Sequence, residues 1–579
     1  MSNSQQQVGW QSLGSLEQFA KGSLTTVKLT PHQLVVAHTE AGELHVLDNR
    51  CPHEGYPLAQ GDLKGCSLTC CWHNWKFDVR NGSCTFGGEG VRHFPSKIKN
   101  RELLCDLTEP APEQFFLAWL ESLSEGLRRY ENGRAIRDGV RLLKGGYSAR
   151  TLLVDIARYD AQFAEYGTTH ALAVCADLMR ILDRYKGMEA MHPIAQAIDI
   201  CGEANQRLLK RKAPEPIPGA TLKELRSAVE NEELAQAEGL LLGAFDAGES
   251  LETIDEWLFT CISDHFLSFG HPLIYLTKLQ DMSSDLDRAA ARELYASLLH
   301  SVMLSTREDT LPYMHAYSSY LEKVESELPG VWSSANSQAQ FDSVAFRDSI
   351  LDDKGPGACE TLWNALKSGV GLIRIADALV AAGAHRLLRF DVPIDSNNGV
   401  AENWVWATHR MTFASAVRQT IERFDTPDAI RFLFQAVAFV NSGRGMDAPL
   451  ERRVPTGEQE SDLEGVLEAI TAKNAHLSVS RTRGLLATEG GFAALRSALE
   501  DLAIADGPVR PIVVAHVIKT TFCAIDEYTR LDGHIDRATP LLAVVRMLAS
   551  PIRERRVRNV VDNSIAWVGD GRMPQKLTQ

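Results

Sequence analysis

The chain has 579 residues, 44% of them hydrophobic, a formal net charge of -15 and 11 scattered cysteines. This length and hydrophobic content suffice for a large buried core, and the cysteines lack the dense spacing of a disulfide-rich secreted domain. The acidic balance argues against nucleic acid as a partner, since binding to that polyanion depends on clustered Lys and Arg.

The sequence predicts neither secretion nor a membrane anchor. Met1 to Gln7 is polar and uncharged, unlike the basic and apolar regions of a secretory leader. No apolar run approaches the roughly twenty residues that a membrane-spanning helix needs. We therefore expect a cytoplasmic protein.

Two short motifs of cysteine and histidine stand out early in the chain. The segment CPH at 51–53 is followed, after sixteen residues, by CCWH at 70–73. A zinc site is the competing interpretation, but zinc fingers usually pair Cys with Cys and His with His in their half-sites. Mixed half-sites are instead the ligand set of a Rieske [2Fe-2S] cluster, in which two thiolates hold one iron and two imidazoles the other. The predicted cluster ligands are Cys51, His53, Cys70 and His73.

Residues from about Val8 to Leu107 resemble a Rieske ferredoxin domain, with CPHEGYPLAQG and CWHNWKF at the places of that family's two cluster-binding loops. The resemblance implies a small all-β domain, which we place at residues 1–108, and a cluster that passes single electrons. In high-potential members a disulfide joins the two loops, and Tyr56 and Trp72 stand at the corresponding places here. The resemblance therefore implies the soluble, low-potential kind, which takes electrons from a reductase and passes them to an oxygenase centre.

Cys71 directly follows the second predicted thiolate ligand, where relatives usually have proline. We do not expect it to be a third thiolate ligand. Together with Cys66 and Cys84, it is predicted to be an ordinary small, buried residue.

The sequence pattern changes near residue 110. Thr108 to Pro112 is a short Pro-containing linker, and beyond it apolar residues recur at intervals of three and four, as in Leu152, Leu153 and Ile156. This periodicity predicts amphipathic helices, so residues 114–579 are expected to form a large, mostly α-helical domain. The predicted fold class is multidomain α+β, with the small β domain first.

A Rieske domain is usually fused to a domain with a mononuclear iron bound by two histidines and a carboxylate. Asp264, His265 and His271 come nearest to such a set, but their spacing differs from the D-x-x-H-x4-H arrangement of that family. The helical pattern also does not suit its catalytic domain. We therefore do not expect a standard Rieske oxygenase large subunit.

Four histidines lie in apolar helical segments, where a polar ring is costly to bury unless it is hydrogen-bonded or binds a metal. Each of them alone is more often a satisfied core residue than a ligand, but histidines on separate helices that face a common core are also how helical proteins build iron sites. The four are His170, His271, His409 and His516.

The segments FGHPLI, THRMTFA and HVIKT, which contain three of these histidines, resemble motifs of the questin oxidase-like family. The resemblance extends from about Tyr147 to Asp532. It implies a helical oxygenase that cleaves rings of anthraquinone-type polyketides, in some members through a non-haem iron held by several histidines and associated with a carboxylated lysine.

Carried over to this chain, the resemblance makes His271, His409 and His516 the preferred iron ligands and His170 a fourth. Lys519 is the candidate for the carboxylated lysine and the predicted catalytic residue, since a carbamate would add an anionic oxygen that suits iron. Reserve ligands or hydrogen-bond partners of the ligands are Asp264, His265, His315, Asp526 and Glu527.

Together these observations predict an O2-dependent oxidoreductase. An external NAD(P)H-dependent reductase or ferredoxin reductase would supply electrons to the cluster, and the cluster would reduce a mononuclear non-haem iron that activates O2. The expected substrate is a small, apolar organic molecule, with an aromatic or polyketide-like skeleton as the favoured class. A homo-oligomer with electron transfer between chains stays open, because many Rieske enzymes associate symmetrically.

Two alternatives from other classes remain. In one, the helical part is a docking scaffold and the whole chain is an electron-transfer or redox-sensing protein. In the other, the helical domain is a di-iron or cofactor-independent enzyme that uses the cluster only for reduction. Paired Glu-x-x-His motifs would favour the di-iron version, but in the helical part only Glu189 to His192 has that form.

Overall fold

The computed structural model describes residues 9–335, 339–395, 403–505, 510–552 and 561. The chain divides into two compact units, Met1–Tyr147 and Ser148–Gln579. The first contains all the strands named below and ends with two helices, and the second is helical. A small β domain followed by a large helical region is the predicted fold class, which is confirmed. The division lies beyond the sequence-based boundary of 108, because two helices group with the strands.

The strands of the first unit form three antiparallel sheets, with the orders β1-β11-β10, β2-β3-β4-β9 and β5-β6-β7-β8. The strands are β1 (Trp10–Ser15), β2 (Ser23–Leu29), β3 (His32–His38), β4 (Leu44–Asp48), β5 (Asp62–Lys64), β6 (Ser67–Thr69), β7 (Lys76–Asp78), β8 (Cys84–Phe86), β9 (His93–Phe94), β10 (Ser96–Lys99) and β11 (Glu102–Asp106).

Strand β3 is apolar on both faces because it separates two hydrophobic cores. Leu34 and Val36 belong to one core, whereas Val35 and Ala37, which point the opposite way, belong to the other. The second of these cores also contains two predicted cluster ligands, Cys51 and Cys70. The cluster-binding loops are therefore anchored through their cysteines in the interior of the β domain.

Two helices complete the first unit, α1 (Pro112–Arg129) and α2 (Asn132–Lys144). Tyr130 ends α1 in a left-handed conformation, with φ of 55°. The two helices pack closely, since a Cβ atom on Gly126 would lie 3.1 Å from the backbone nitrogen of Ala135. They form a helical hairpin, called here the α1–α2 hairpin.

The second unit is built from helices. These are α3 (Ala149–Phe163), α4 (His170–Met179), α5 (Met191–Asn205), α6 (Leu222–Glu230), α7 (Leu234–Ala247), α8 (Leu251–Ser263), α9 (His271–Met282), α10 (Arg288–Leu304), α11 (His315–Val324), α12 (Leu328–Ser333), α13 (Ser343–Asp352), α14 (Pro356–Lys367), α15 (Leu372–Arg389), α16 (Val392–Asp395), α17 (Trp404–Arg423), α18 (Ala429–Ser442), α19 (Leu463–Thr471), α20 (Ala475–Leu486), α21 (Gly491–Ala503), α22 (Pro511–Arg530) and α23 (Thr539–Leu548). Among the described residues, none of the helices is long and apolar enough to cross a bilayer.

Helix α17 runs through the interior of the helical unit. Every residue from Ala407 to Thr420 is buried, although the stretch includes His409, Arg410 and Arg418. A helix buried on all sides must provide partners for its polar side chains. Arg418, for example, donates from Nε to Asp377 at 2.6 Å. The polar residues of α17 are thus held by specific bonds rather than by solvent.

A buried carboxylate joins the turn between α22 and α23 to two other helices. Asp536, 6% exposed, accepts hydrogen bonds at 2.6 and 2.7 Å from Arg347 of α13 and at 2.9 Å from His385 of α15. Burial raises the pKa of Asp536, but the bonds and charges of His385 and Arg347 outweigh it and lower the pKa to about 2. The ionised form is therefore the one that stabilises the fold.

Asp536→Ala should destabilise the helical unit by about 3 kcal/mol, because it removes the buried carboxylate that binds both Arg347 and His385. Urea unfolding followed by helical circular dichroism measures the loss. Because the folded pKa lies below the ordinary value, the contribution is complete above about pH 4 and is lost as the pH falls towards 2.

Asp532→Ala is the matched control, since the Asp532 side chain is 75% exposed and pairs with Arg537 on the surface. It should change the free energy of unfolding by less than about 0.5 kcal/mol. Equal effects of the two substitutions would contradict a special role for the buried carboxylate.

Candidate metal centres

The two cluster-binding loops of the first unit have the same backbone hydrogen bonds. In the first loop, Cys51 N–H donates to Tyr56 O and Gly55 N–H donates to Cys51 O, both at 2.8 Å. In the second, Cys70 N–H donates to Trp75 O at 2.8 Å and Asn74 N–H donates to Cys70 O at 3.1 Å.

The fifth residue of each loop, Gly55 or Asn74, has a positive φ, 78° or 59°. Glycine adopts this left-handed conformation readily, and asparagine more readily than most other residues. The two loops are therefore structural repeats that present cysteine and histidine in the same way.

The four predicted cluster ligands lie in these loops, the thiols inside and the imidazoles outside. Cys51 is 3% and Cys70 1% exposed, whereas the side chain of His73 is 43% exposed. The Nδ1 atoms of His53 and His73 are 3.2 Å apart. Burial, together with the neighbouring Cys70 thiol, raises the pKa of Cys51 to about 12.

This donor set fits a Rieske cluster. Two thiols lie side by side in an environment that disfavours bare thiolates, so the ionised pair needs the positive charge of iron. Two ring nitrogens face each other at the exposed end, where a second iron binds imidazole in a cluster of this type.

Aromatic rings flank both loops. Tyr56 and Trp72, the residues at the places of the family's disulfide, stack with ring centroids 3.9 Å apart, and Trp75 stacks on His53 at 4.7 Å. The two loops are thus joined by ring stacking. The expectation of a buried Cys71 is wrong, since this residue is exposed, as is its neighbour Trp72 at the loop tip; Cys66 and Cys84 are half-buried.

The second unit brings together four histidines from four helices. His170 and His271 are the first residues of α4 and α9, whereas His409 and His516 lie within α17 and α22. One ring nitrogen from each of the four lies within 4.8 Å of the others. We call this group the four-histidine cluster.

The start of α4 is fixed by a buried carboxylate. Thr169 caps the helix by accepting a hydrogen bond from Ala171 N–H, and Asp160 of α3 accepts bonds from the Thr169 hydroxyl at 2.6 Å and backbone N–H at 2.9 Å. Asn205 of α5 donates to the same carboxylate at 2.8 Å. These bonds fix the position of His170, the next residue along the chain.

The start of α9 depends on a sharp turn. Phe269 and Gly270 both have positive φ, 59° and 83°, and a Cβ atom on Gly270 would collide with the ring of Phe413 in α17. Only glycine fits this close approach. The turn brings His271 against α17, which carries His409.

The Nε2 atoms of the cluster are almost in contact. His271 Nε2 lies 3.1 Å from His170 Nε2 and 2.9 Å from His409 Nε2, and His516 Nε2 lies 3.2 Å from His409 Nε2. Lys519, one turn after His516 on α22, places its Nζ 3.3 Å from His409 Nε2.

Backbone carbonyls determine which ring nitrogen carries the proton in three of the four rings. Nδ1 of His271 lies 2.5 Å from Ser268 O, that of His409 2.8 Å from Val405 O, and that of His516 2.6 Å from Ile512 O. A carbonyl only accepts, so each Nδ1 must be the N–H donor and each Nε2 carries a lone pair.

The fourth ring has a different partner. His170 Nδ1 faces the hydroxyl of Tyr275 at 3.4 Å, and a hydroxyl both donates and accepts. Tyr275 lies one turn after His271 on the same face of α9.

Burial keeps the four rings neutral. Burial, followed for all four rings by the charge of the nearby Lys519, lowers the pKa of His271 to about 3 and the pKa of His170, His409 and His516 well below 6.5. Burial also lowers the pKa of Lys519 to about 7. Neutral rings with lone pairs directed at one point repel each other unless a cation lies between them.

The chemistry of this donor set fits a divalent transition metal. Imidazole nitrogen suits iron, zinc, copper and nickel, and a carbonyl acceptor on the other ring nitrogen is the usual arrangement for a metal-binding histidine. The residues that could hold the ion are His170, His271, His409 and His516, with Lys519 beside them.

The reserve residues from the sequence have other partners or lie on the surface. Asp264 accepts from Arg226 at 2.5 and 2.7 Å, and His265 pairs with Asp309 at 2.8 Å. The remaining three are Asp526, which accepts from Arg180, Glu527, which accepts from Ser415 and Arg530, and His315, which is exposed.

Sequence reasoning missed two side chains that support the four-histidine cluster. Tyr275 comes four residues after His271, and this helical spacing puts the two on one face but indicates no role for the hydroxyl. Nothing in the sequence around Asp160 indicates its role, because its partner Thr169 lies beyond the end of α3 and the two side chains meet only in the folded protein.

Comparison with known proteins identifies the domain that contains the first of these two candidate centres. A family model described as Rieske [2Fe-2S] domain matches residues 9–92. The chain is 37% identical over 95 residues to the 4beta-methylsterol monooxygenase of Methylococcus capsulatus, an alignment that covers 16% of this chain and 24% of that protein. It is 40% identical over 76 residues to a 3-ketosteroid-9-alpha-monooxygenase oxygenase component of Rhodococcus rhodochrous, covering 13% of this chain and 20% of that protein.

Among solved structures, the ferredoxin of carbazole 1,9a-dioxygenase from Nocardioides aromaticivorans IC177 matches with 22% identity and a TM-score of 0.16, covering 17% of this chain and 96% of the ferredoxin. The chain spans at most a quarter of the length of the two curated relatives. The motif spacing, the paired loops and the family match together identify the N-terminal part of this chain, residues 9–92, as a Rieske [2Fe-2S] domain.

Proposed function

We propose that this chain is an O2-dependent oxygenase with two metal centres, a Rieske cluster in the first unit and an iron in the four-histidine cluster of the second. The observation that carries the proposal is the convergence of one ring nitrogen from each of four histidines, in a chain that also contains a Rieske domain. Two curated relatives are named as monooxygenases, which supports the same reaction class.

The proposed roles of the two metals follow from their donor sets. When bound at Cys51, His53, Cys70 and His73, the cluster supplies one electron at a time, which an external NAD(P)H-dependent reductase or ferredoxin reductase would provide. When bound at His170, His271, His409 and His516, an iron ion supplies the redox chemistry by which O2 is reduced and the substrate oxidised.

The residues around the four-histidine cluster orient its rings for metal binding. Hydrogen bonds from Nδ1 to backbone carbonyls direct three Nε2 lone pairs inward before any metal arrives, so little reorganisation is needed on binding. His409 and His516 are 3% and 2% exposed, so bulk water is kept from this side of the site.

Aromatic side chains next to the four-histidine cluster favour an apolar substrate. The ring centroid of Phe269 lies 4.4 Å from Trp406, 5.8 Å from His409 and 6.2 Å from Phe439. Such a surface favours an apolar, ring-containing molecule over a charged one. The sterol and ketosteroid substrates in the names of the two relatives are of the same chemical class.

Lys519 is proposed as a carboxylated ligand of this iron. Its Nζ lies 3.3 Å from His409 Nε2, and the residue is 1% exposed. As a carbamate, it would add one anionic oxygen to four neutral imidazoles, and oxygen donors suit the harder ferric state. The resemblance to the questin oxidase-like family supports the same assignment.

The ratio of iron to acid-labile sulfide tests the second metal. Anaerobically purified protein should contain iron and sulfide at about 3:2, because a Rieske cluster contributes two of each and the four-histidine iron contributes no sulfide. In His409→Ala the ratio should fall to about 1:1 while the cluster spectrum stays unchanged.

His476→Ala is the matched control, because His476 is an exposed histidine of the same unit. It should keep the wild-type ratio. A wild-type ratio near 1:1 that added ferrous iron fails to raise would instead favour the electron-transfer or redox-sensing alternative.

Removal of a cluster ligand should have the reverse effect. Cys70→Ser should lose acid-labile sulfide and the visible absorption of the cluster, yet retain about one iron per chain in the four-histidine cluster. Cys71→Ser, one position along and exposed, should keep both metals. If Cys70→Ser lost all iron, the two centres would not be independent as proposed.

Carboxylation of Lys519 is tested with carbon-13. Protein incubated with labelled bicarbonate should show a carbamate resonance by NMR, and Lys519→Arg should abolish it and lower the iron occupancy, since arginine forms no stable carbamate. Lys278→Arg is the control, because Lys278 is a second buried lysine that donates to Asp177 at 2.6 Å. The same spectrum from wild type and Lys519→Arg would rule out the carbamate.

A further inference from the structure

A buried carboxylate connects the α1–α2 hairpin to the β domain in the first unit. Glu89, 2% exposed, lies between β8 and β9. Its carboxylate accepts hydrogen bonds from Arg137 Nε at 2.6 Å and Nη2 at 3.0 Å, and from Arg141 Nη1 at 3.3 Å. Both arginines belong to α2. A buried glutamate with two guanidinium partners is a fixed attachment point between the helix and the cluster-bearing domain.

Arg141 also reaches the first cluster-binding loop. Its Nη2 donates to the carbonyl of Pro52 at 3.3 Å, and Pro52 lies between the predicted ligands Cys51 and His53. Asp138, one turn earlier on α2, accepts from Arg141 Nη1 at 2.5 Å, and the guanidinium lies 4.5 Å from the ring centroid of Trp119. With several fixed partners, the guanidinium has little freedom to move away from the loop.

Arg137 lies near the second cluster-binding loop. Its guanidinium lies 5.9 Å from the ring centroid of Trp75, and Trp75 stacks on His53 at 4.7 Å with an interplanar angle of 15°. Gly87 leaves room for this ring, since a Cβ atom there would lie 2.5 Å from Trp75. Arg141 therefore contacts the first loop directly at Pro52, and Arg137 is linked to His53 through the ring of Trp75.

We propose that Arg141 is a positioning residue for the Rieske cluster, and that Glu89, Arg137 and Arg141 together set its reduction potential. Arg141 holds the first loop through Pro52 and places a positive charge beside it. The hydrogen bonds and net charge around an iron–sulfur cluster are among the factors that determine its potential. The inference rests on the Rieske domain alone and does not depend on the four-histidine cluster.

Two substitutions in the full-length protein should shift the potential in opposite directions. Arg141→Met keeps an apolar stem against Trp119 but removes the positive charge and the bond to Pro52, so the added electron is less stabilised and the midpoint potential falls. Glu89→Gln keeps the size of the side chain but removes a negative charge, so the midpoint potential rises. A redox titration monitored by the electron paramagnetic resonance of the reduced cluster measures both shifts.

Controls on α1 separate this effect from a general change in charge. Arg129 and Glu125 form an ion pair on α1, with the Arg129 side chain 52% exposed. Arg129→Met and Glu125→Gln should leave the midpoint potential of the cluster unchanged. Arg141→Lys keeps the charge and should recover part of the potential lost in Arg141→Met, which a merely structural role would not predict.

Midpoint potentials equal to wild type in Arg141→Met and Glu89→Gln would overturn the proposal, as would shifts of the same sign. If Arg141→Met fails to assemble the cluster, Glu89→Gln decides the matter, since an upward shift supports the proposal and an unchanged potential contradicts it. Iron and sulfide contents confirm that each titrated sample contains the cluster.

Discussion

The arrangement of the helical unit depends on four imidazole rings whose nitrogens approach one another. Each ring is in an environment that disfavours protonation, and three are fixed by carbonyls in the tautomer that leaves Nε2 with a lone pair. Such an arrangement is repulsive by itself and favourable around a cation. The metal is therefore expected to contribute to the stability of this unit as well as to its chemistry.

The helices and turns around the four-histidine cluster hold its histidines in position. Helix α17 is buried along most of its length. Helices α4, α9 and α22 around it bring the other three histidines to His409. Asp160 and Gly270 act at the starts of α4 and α9, one by fixing a helix cap and the other by permitting a close approach to Phe413. Two histidines at helix starts and two within helices allow four helices to meet at one point.

In the first unit, loops rather than helices hold the predicted metal ligands. Two short loops with the same hydrogen bonds hold their cysteines in the core and their histidines outside. The α1–α2 hairpin then adds charge to this centre through Glu89, Arg137 and Arg141. The two candidate centres thus differ in donor atoms and in exposure.

How much the sequence could predict differs between the centres. The spacing of CPH and CCWH was enough for the Rieske domain, because its ligands lie close together in the chain and its loops have a characteristic pattern. The helical part followed from hydrophobic periodicity, and the small β domain from the resemblance to the Rieske family. The four histidines were identified as candidates one at a time, but their distances were not predictable, since they are separated by as many as 346 residues, from His170 to His516.

The supports of the second centre could not be read from the sequence at all. Asp160 holds Thr169 through a contact made by tertiary structure, and Tyr275 meets His170 across two helices. The reserve carboxylates were reasonable candidates by residue type, but Asp264 and Asp526 pair with arginines from distant parts of the chain. Which charged residues pair in the interior depends on how whole helices pack. Short sequence motifs do not determine that packing.

The most direct test of the proposed second metal centre is anomalous X-ray diffraction from crystals of the anaerobically purified protein, recorded on both sides of the iron absorption edge. An iron peak is expected between the Nε2 atoms of His170, His271, His409 and His516, separate from the peak of the Rieske cluster. Density for the cluster alone, with no iron among the four histidines even after soaking with ferrous salt, would contradict it.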